Sequence, residues 1–186
     1  MERFEIFSLY DQIDDDIEYQ WLIDGLIPLQ HPTIIYGEKG SYKTLLGLHI
    51  ALCLSSGMNV CGLESKSSKV LLLALEGSND VMPRAKAHME NYGYPTESSF
   101  YYTSPPFAFG NPALEAILRH EIEDKGINVM IVDTLSQARP KGSFNDDGLA
   151  SIITRSLAKY SEEWGITTLS IGHTGKDSSK GLVGSK

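Results

Sequence analysis

Short apolar runs alternating with amphipathic helical stretches predict an α/β fold, a mostly parallel sheet flanked by helices on both faces. Three observations support this expectation. Residues 70–75, 128–132 and 166–171 are runs of strand length, apolar enough to be buried parallel strands. The stretches between them repeat their hydrophobic residues at helical spacing. The chain has 186 residues, 41% of them hydrophobic, which suffices for one domain with a substantial core.

Along the chain, residues 1–32 form an N-terminal segment expected to pack on a core spanning residues 33–186. Asp14, Asp15 and Asp16 within it read as a solvated edge. Residues 33–36 read as the first core strand and residues 43–56 as a helix stopped by Gly57. After the strand at 70–75, Ser78 or Asn79 is expected to cap a helix running to about Asn91, with Gly93 beyond its end. Met82 and Met89 on that helix are expected in the core. Residues 100–103 form a short strand closed by Pro105 and Pro106. Asn111-Pro112 pairs a capping side chain with proline at the first helical position, opening a helix to about Asp124. After the strand at 128–132, residues 135–145 form a loop, and Asp146 or Asp147 starts the next helix. On it Leu149, Ile152, Ile153, Leu157, Tyr160 and Trp164 share one face. The strand at 166–171 is the last, and residues 176–186 carry no core-forming pattern.

Composition removes several classes of function. The longest apolar stretch, residues 45–54, is far short of the ~20 residues of a membrane helix, and Met1 opens no secretory signal. A cytoplasmic protein without membrane partners is expected. The two cysteines, Cys53 and Cys61, are too few for a disulfide framework or a zinc site. His120-Glu121 lacks the spacing of a zinc-binding helix. A net charge of −8 leaves no global attraction to nucleic acid, so any DNA contact must come from a local basic element or a ring pore.

The informative segment is Thr33-Ile34-Ile35-Tyr36-Gly37-Glu38-Lys39-Gly40-Ser41-Tyr42-Lys43-Thr44, followed by the apolar helix. Glycines let successive backbone N–H groups curl around an anion, and the helix N-terminus adds partial positive charge. Gly37, Glu38, Lys39, Gly40, Ser41, Tyr42, Lys43 and Thr44 are therefore the candidate phosphate-binding residues. Lys43 is expected to reach the β- and γ-phosphates of ATP, and the Thr44 hydroxyl to ligate Mg²⁺. Tyr42 stands where the phosphate-loop pattern has its second glycine. Gly172-His173-Thr174-Gly175-Lys176 also carries Gly-Lys after a strand, but no apolar helix follows it.

Three further residues complete the constellation. Asp133 ends an apolar strand, where a carboxylate supports Mg²⁺ and its water. Glu76, just past another strand, is suited to deprotonate an attacking water. His173 follows the last strand and is suited to sense the γ-phosphate. Lys43, Glu76, Asp133 and His173 are the candidate catalytic residues, with Thr44 and Asp133 at the metal. Arg84 and Arg139 are candidates for phosphate or a neighbouring subunit, and equally for solvated surface.

Trp21-Leu22-Ile23-Asp24-Gly25-Leu26-Ile27-Pro28, the phosphate loop, Ala74-Leu75-Glu76-Gly77, Asp133-Thr134-Leu135 and Gly172-His173-Thr174-Gly175-Lys176-Asp177 occur in that order. This set resembles the RecA-type P-loop ATPases related to the RepA hexameric replicative helicases of plasmids and phages, over about residues 20–186. The resemblance implies a RecA-like P-loop NTPase fold and the roles above for Lys43, Thr44, Glu76, Asp133 and His173. It implies Mg²⁺-dependent ATP hydrolysis in replication or recombination of a mobile element. The implied partners are single-stranded DNA and further copies of the chain, in a ring or filament of the full-length form. Relatives continue past a stretch like Gly184-Ser185-Lys186 into further strands, one with an arginine finger, so a chain truncated at the C-terminal strands is expected. A nucleotide-dependent binding or assembly module with little hydrolysis and no helicase activity is the alternative.

Overall fold

A computed structural model describes residue 8 and residues 19–94, 99–140 and 146–173. The acidic run at Asp14, Asp15 and Asp16, loop residues 141–145 and residues 174–186 lie outside them, and with these the Gly-Lys pair of Gly175 and Lys176.

A hairpin comes first, β1 (Trp21–Ile23) paired antiparallel with β2 (Ile27–Pro28). Then follow β3 (Pro32–Gly37), α1 (Lys43–Ser56), β4 (Val70–Ala74), α2 (Val81–Tyr92), β5 (Phe100–Thr103), α3 (Pro112–Lys125), β6 (Val129–Asp133), α4 (Asp146–Trp164) and β7 (Thr167–His173). The five core strands form one sheet in the order β3-β7-β6-β4-β5, every pairing parallel. This is the α/β architecture that the alternation of strands and helices predicts.

The three central strands, β7, β6 and β4, are buried on both faces, whereas the edge strands β3 and β5 are only partly covered, and the period of two sorts the core. Val70, Leu72 and Ala74 of β4, with Val129 and Ile131 of β6, pack toward α1, α2 and the hairpin. Leu71 and Leu73, with Met130 and Val132, pack toward α3 and α4. At Gly47 on α1 an added Cβ would lie 2.9 Å from Ile171 Cδ1, so the helix approaches β7 closely only because this residue has no side chain. Met89 packs at the rim of this core, whereas Met82 is 54% exposed and points away from it, contrary to expectation. Only the side of α2 carrying Val81 and Ala85 is buried, and Met82 lies off it.

Asn111 caps α3 as expected, its Oδ1 accepting from the N–H groups of Ala113 and Leu114 at 3.1 and 3.2 Å. α2 starts differently from expectation. Gly77 turns the chain at φ 64°, Ser78–Asp80 form a 3-10 turn, and no side chain caps either element. The hairpin is too short for a period-two signal and was not legible as strands. It is held from outside, by Asp24 N–H to Glu64 O and Lys66 N–H to Leu22 O, both 2.9 Å.

Candidate functional site

Parallel strands bring their C-terminal ends to one edge, and the crossovers begin there. Register places Gly37 of β3 opposite His173 of β7, and Asp133 of β6 opposite both Ile171 and Ala74. Glu76 follows Ala74 by two residues. Four segments far apart in sequence thus meet along the ends of β3, β7, β6 and β4. A cleft of about 460 Å³ opens here, lined by the loop from Gly40 to Leu45 with Arg84 and His173.

The loop is built around Lys43, which is buried. Its Nζ donates to Gly37 O at 3.0 Å, Glu38 O at 2.7 Å and Ser41 Oγ at 3.2 Å, so all three ammonium protons have acceptors. Ser41 Oγ donates in turn to Glu38 O at 2.8 Å. These bonds hold the cation inside the curl of the loop. Helix geometry leaves the first N–H groups of α1 without intrahelical partners, so loop and helix together present positive charge to the cleft.

Tyr42 carries the backbone of a glycine. It sits at φ 60°, ψ 19°, the left-handed region, with its side chain 78% exposed. An aromatic here is easily accommodated if the residue already has right-handed helical angles; it does not have them. The chain keeps the turn and accepts the strain that glycine avoids.

Asp133 is 3% exposed and its Oδ1 has no hydrogen-bond partner. Burial pushes this carboxyl above its ordinary value; a hydrogen bond from the Thr44 side chain opposes the rise, and the charge of Glu76 adds to it. A buried carboxylate oxygen without a partner, beside a threonine hydroxyl at the start of the loop helix, suits a hard divalent cation with oxygen ligands. The donor set therefore fits Mg²⁺.

Glu76 is about half exposed. Its Oε2 accepts from Thr134 Oγ1 at 3.2 Å and lies 3.7 Å from His173 Nε2, an ion pair whenever the imidazole is protonated. The backbone is tied down beneath it, with Leu75 N–H and Glu76 N–H both donating to Asp133 O at 2.7 and 3.1 Å. Lys43, Thr44, Glu76, Asp133 and His173 are thus brought together. Of the two arginines weighed, Arg84 faces the cleft and is held by Asp80 Oδ2 at 3.1 Å, whereas Arg139 is exposed and lines no part of it.

Two groupings escaped the sequence. Thr134 and Ser136 beside Glu76 are one. The other joins α1 to α2: His49 Nδ1 lies 2.9 Å from His88 Nε2 and 3.0 Å from Tyr94 OH, which lies 3.3 Å from Cys53 Sγ. Desolvation and the neighbouring His49 hold His88 below its ordinary value. Burial pushes the Cys53 thiol and the Tyr94 hydroxyl up. The spacing of His49 and Cys53, one helical turn apart, was the available signal, but nothing in it tells which helix they face. Among the described residues no group of His, Cys, Asp and Glu forms a metal cluster, and no helix is long and apolar enough to cross a membrane.

A parallel sheet with a lysine-bearing loop between its edge strand and the next helix, and carboxylates on neighbouring strand ends, defines a P-loop ATPase. Residues 5–179 match the family model described as the AAA domain. The match spans most of the chain, and the protein belongs to that family, whose members bind and hydrolyse ATP. A comparison with curated proteins found no match.

Proposed function

We propose that the chain binds Mg²⁺·ATP in the cleft above β3, β7 and β6, hydrolyses it there, and does so as a DNA-acting ATPase of RepA-helicase type. The observation that carries the hydrolytic reading is the meeting of Lys43, Asp133, Glu76 and His173 at one sheet edge, on four separate elements. The loop from Gly37 to Thr44 cradles the phosphates with its amides, and Lys43 trades part of its bonding to Gly37 O and Glu38 O for the β- and γ-phosphate oxygens. Thr44 and Asp133 would hold Mg²⁺, which when bound neutralises phosphate charge. Glu76 takes a proton from water as the water oxygen bonds to the γ-phosphorus; the bond to the bridging oxygen breaks and ADP leaves with the electron pair. His173, at the end of β7, is placed to sense the γ-phosphate, and Arg84 to meet phosphate charge from the α2 side.

The DNA role rests on the ordered motif set from Trp21 to Asp177. On this reading the activity serves replication or recombination of a mobile element or phage, with single-stranded DNA and other copies of the chain as partners. A net charge of −8 favours a second reading, an assembly module that binds ATP and hydrolyses little.

Two variants separate these readings. Lys43→Ala should remove most ATP affinity by isothermal titration; equal affinity would move the phosphate site elsewhere. Glu76→Gln should keep that affinity and lower turnover by roughly 10²–10⁴-fold, the scale of general-base catalysis. Wild-type turnover already at the level of Glu76→Gln, with or without single-stranded DNA, would select the assembly module.

A further inference from the structure

We infer that Thr134, relayed from Ser136, is the positioning residue for the Glu76 carboxylate, an inference that rests on Glu76 being the base. The direction of the relay follows from counting protons. Thr134 Oγ1 has one proton and two partners, Glu76 Oε2 at 3.2 Å and Ser136 Oγ at 2.7 Å. A carboxylate only accepts, so Thr134 donates to Glu76 and accepts from the Ser136 hydroxyl. The chain Ser136→Thr134→Glu76 therefore has one polarity.

Its members differ greatly in freedom. Glu76 is 45% exposed at the side chain and follows a strand end, so by itself it samples several rotamers. Thr134 is 1% exposed, β-branched and framed on both sides by backbone bonds: Asp133 O accepts from Leu75 and Glu76 N–H, and Leu135 N–H donates to Ile171 O at 2.8 Å. The mobile carboxylate is thereby referred to the rigid end of β6, next to Asp133. Thr134 and His173 both approach Oε2, and among the described residues no hydrogen bond engages Oε1. Oε1 is left as the oxygen that takes the water proton.

The arrangement splits the work of the Asp133-Thr134 pair. Asp133 is bonded to the Thr44 side chain and with it would hold Mg²⁺; Thr134 faces the base. Losing the Thr134 hydroxyl leaves the nucleotide contacts intact and lets the base wander from the water, a misplacement that costs up to about 100-fold in rate.

The test is single-turnover ATP hydrolysis with a parallel fluorescent-ATP binding titration. Thr134→Val should lower the rate roughly 10- to 100-fold with unchanged ATP affinity, and Thr134→Ser, which restores the donor, should recover most of it. Ser136→Ala should lower the rate less, again without loss of affinity. In the Glu76→Gln background Thr134→Val should cost almost nothing further, because the hydroxyl acts only through the carboxylate. A full extra loss there, or a fall in ATP affinity matching the fall in rate, would overturn the inference. So would native rates in Thr134→Val while Glu76→Gln is slow, an outcome that leaves Glu76 as base. Native rates in Glu76→Gln would remove the base, and the positioning role with it. If Thr134→Val does not fold, the Ser136→Ala rate in the two backgrounds decides by the same criterion.

Discussion

Tyr42 shows a phosphate loop keeping its backbone while departing from its sequence pattern. The turn into α1 needs a left-handed residue, and Tyr42 supplies φ 60° with a side chain that is 78% exposed and makes little packing contact. An L-residue with a Cβ is strained there by about 1–2 kcal/mol, and glycine is not. Tyr42→Gly should therefore stabilise the protein by roughly 0.5–1 kcal/mol after the larger unfolded-state entropy of glycine is counted. Tyr42→Ala keeps the Cβ and should gain almost nothing. Urea denaturation of the three proteins checks this: equal gains from Gly and Ala would show that the aromatic ring, not the backbone angle, carries the strain.

Between elements, one acid joins α3 to α4. Glu115 is buried, and its Oε1 accepts from Gly110 N–H at 2.9 Å, Ser156 Oγ at 2.9 Å and Tyr160 OH at 2.8 Å, while Lys159 Nζ reaches Oε2 at 3.1 Å. Burial alone would raise this carboxyl; the bonds from Tyr160, Gly110, Lys159 and Ser156 outweigh it and hold it below its ordinary 4.5. A depressed folded value means that the unfolded chain binds the proton more readily. The stabilisation is complete above pH 4.5 and is lost as pH falls through the folded value. Glu115→Gln should cost about 2 kcal/mol at neutral pH, and the gap to wild type should narrow toward pH 3. A gap independent of pH in urea titrations would mean that the ionised form contributes nothing special. The His49–His88 contact ties α1 to α2 in the same way, through side chains whose partners come from another helix.

For the whole molecule, the open question is where transition-state charge is neutralised. Arg84 lines the cleft from α2 of the same chain, whereas a ring-forming ATPase draws an arginine from its neighbour, a contribution worth 10³–10⁵ in rate. If self-association supplies it, turnover per chain should rise with protein concentration over the range where light scattering shows assembly, and rise further with single-stranded DNA. Turnover independent of concentration but strongly reduced in Arg84→Ala would place the neutralising charge within one chain.

How much of this was legible beforehand follows from the range of the forces involved. Local chemistry determined the five core strands, α1, the Asn111 cap and the phosphate loop, because apolar period, a capping side chain and Gly-rich curvature act within a few residues. It also marked Asp133, Glu76 and His173, since a polar residue closing an apolar strand stands out along the chain. Tertiary structure alone decided the strand order β3-β7-β6-β4-β5, and with it that the ends of β4, β6 and β7 are neighbours. Hence the bond from Thr134 to Glu76, the placing of Arg84 in the cleft and the burial of Glu115 beneath Tyr160 could not be read from sequence. Nor could the exposure of Met82 or the β1–β2 hairpin. Each depends on which distant surface comes to lie against a residue, and a parallel sheet settles that only when its crossovers close.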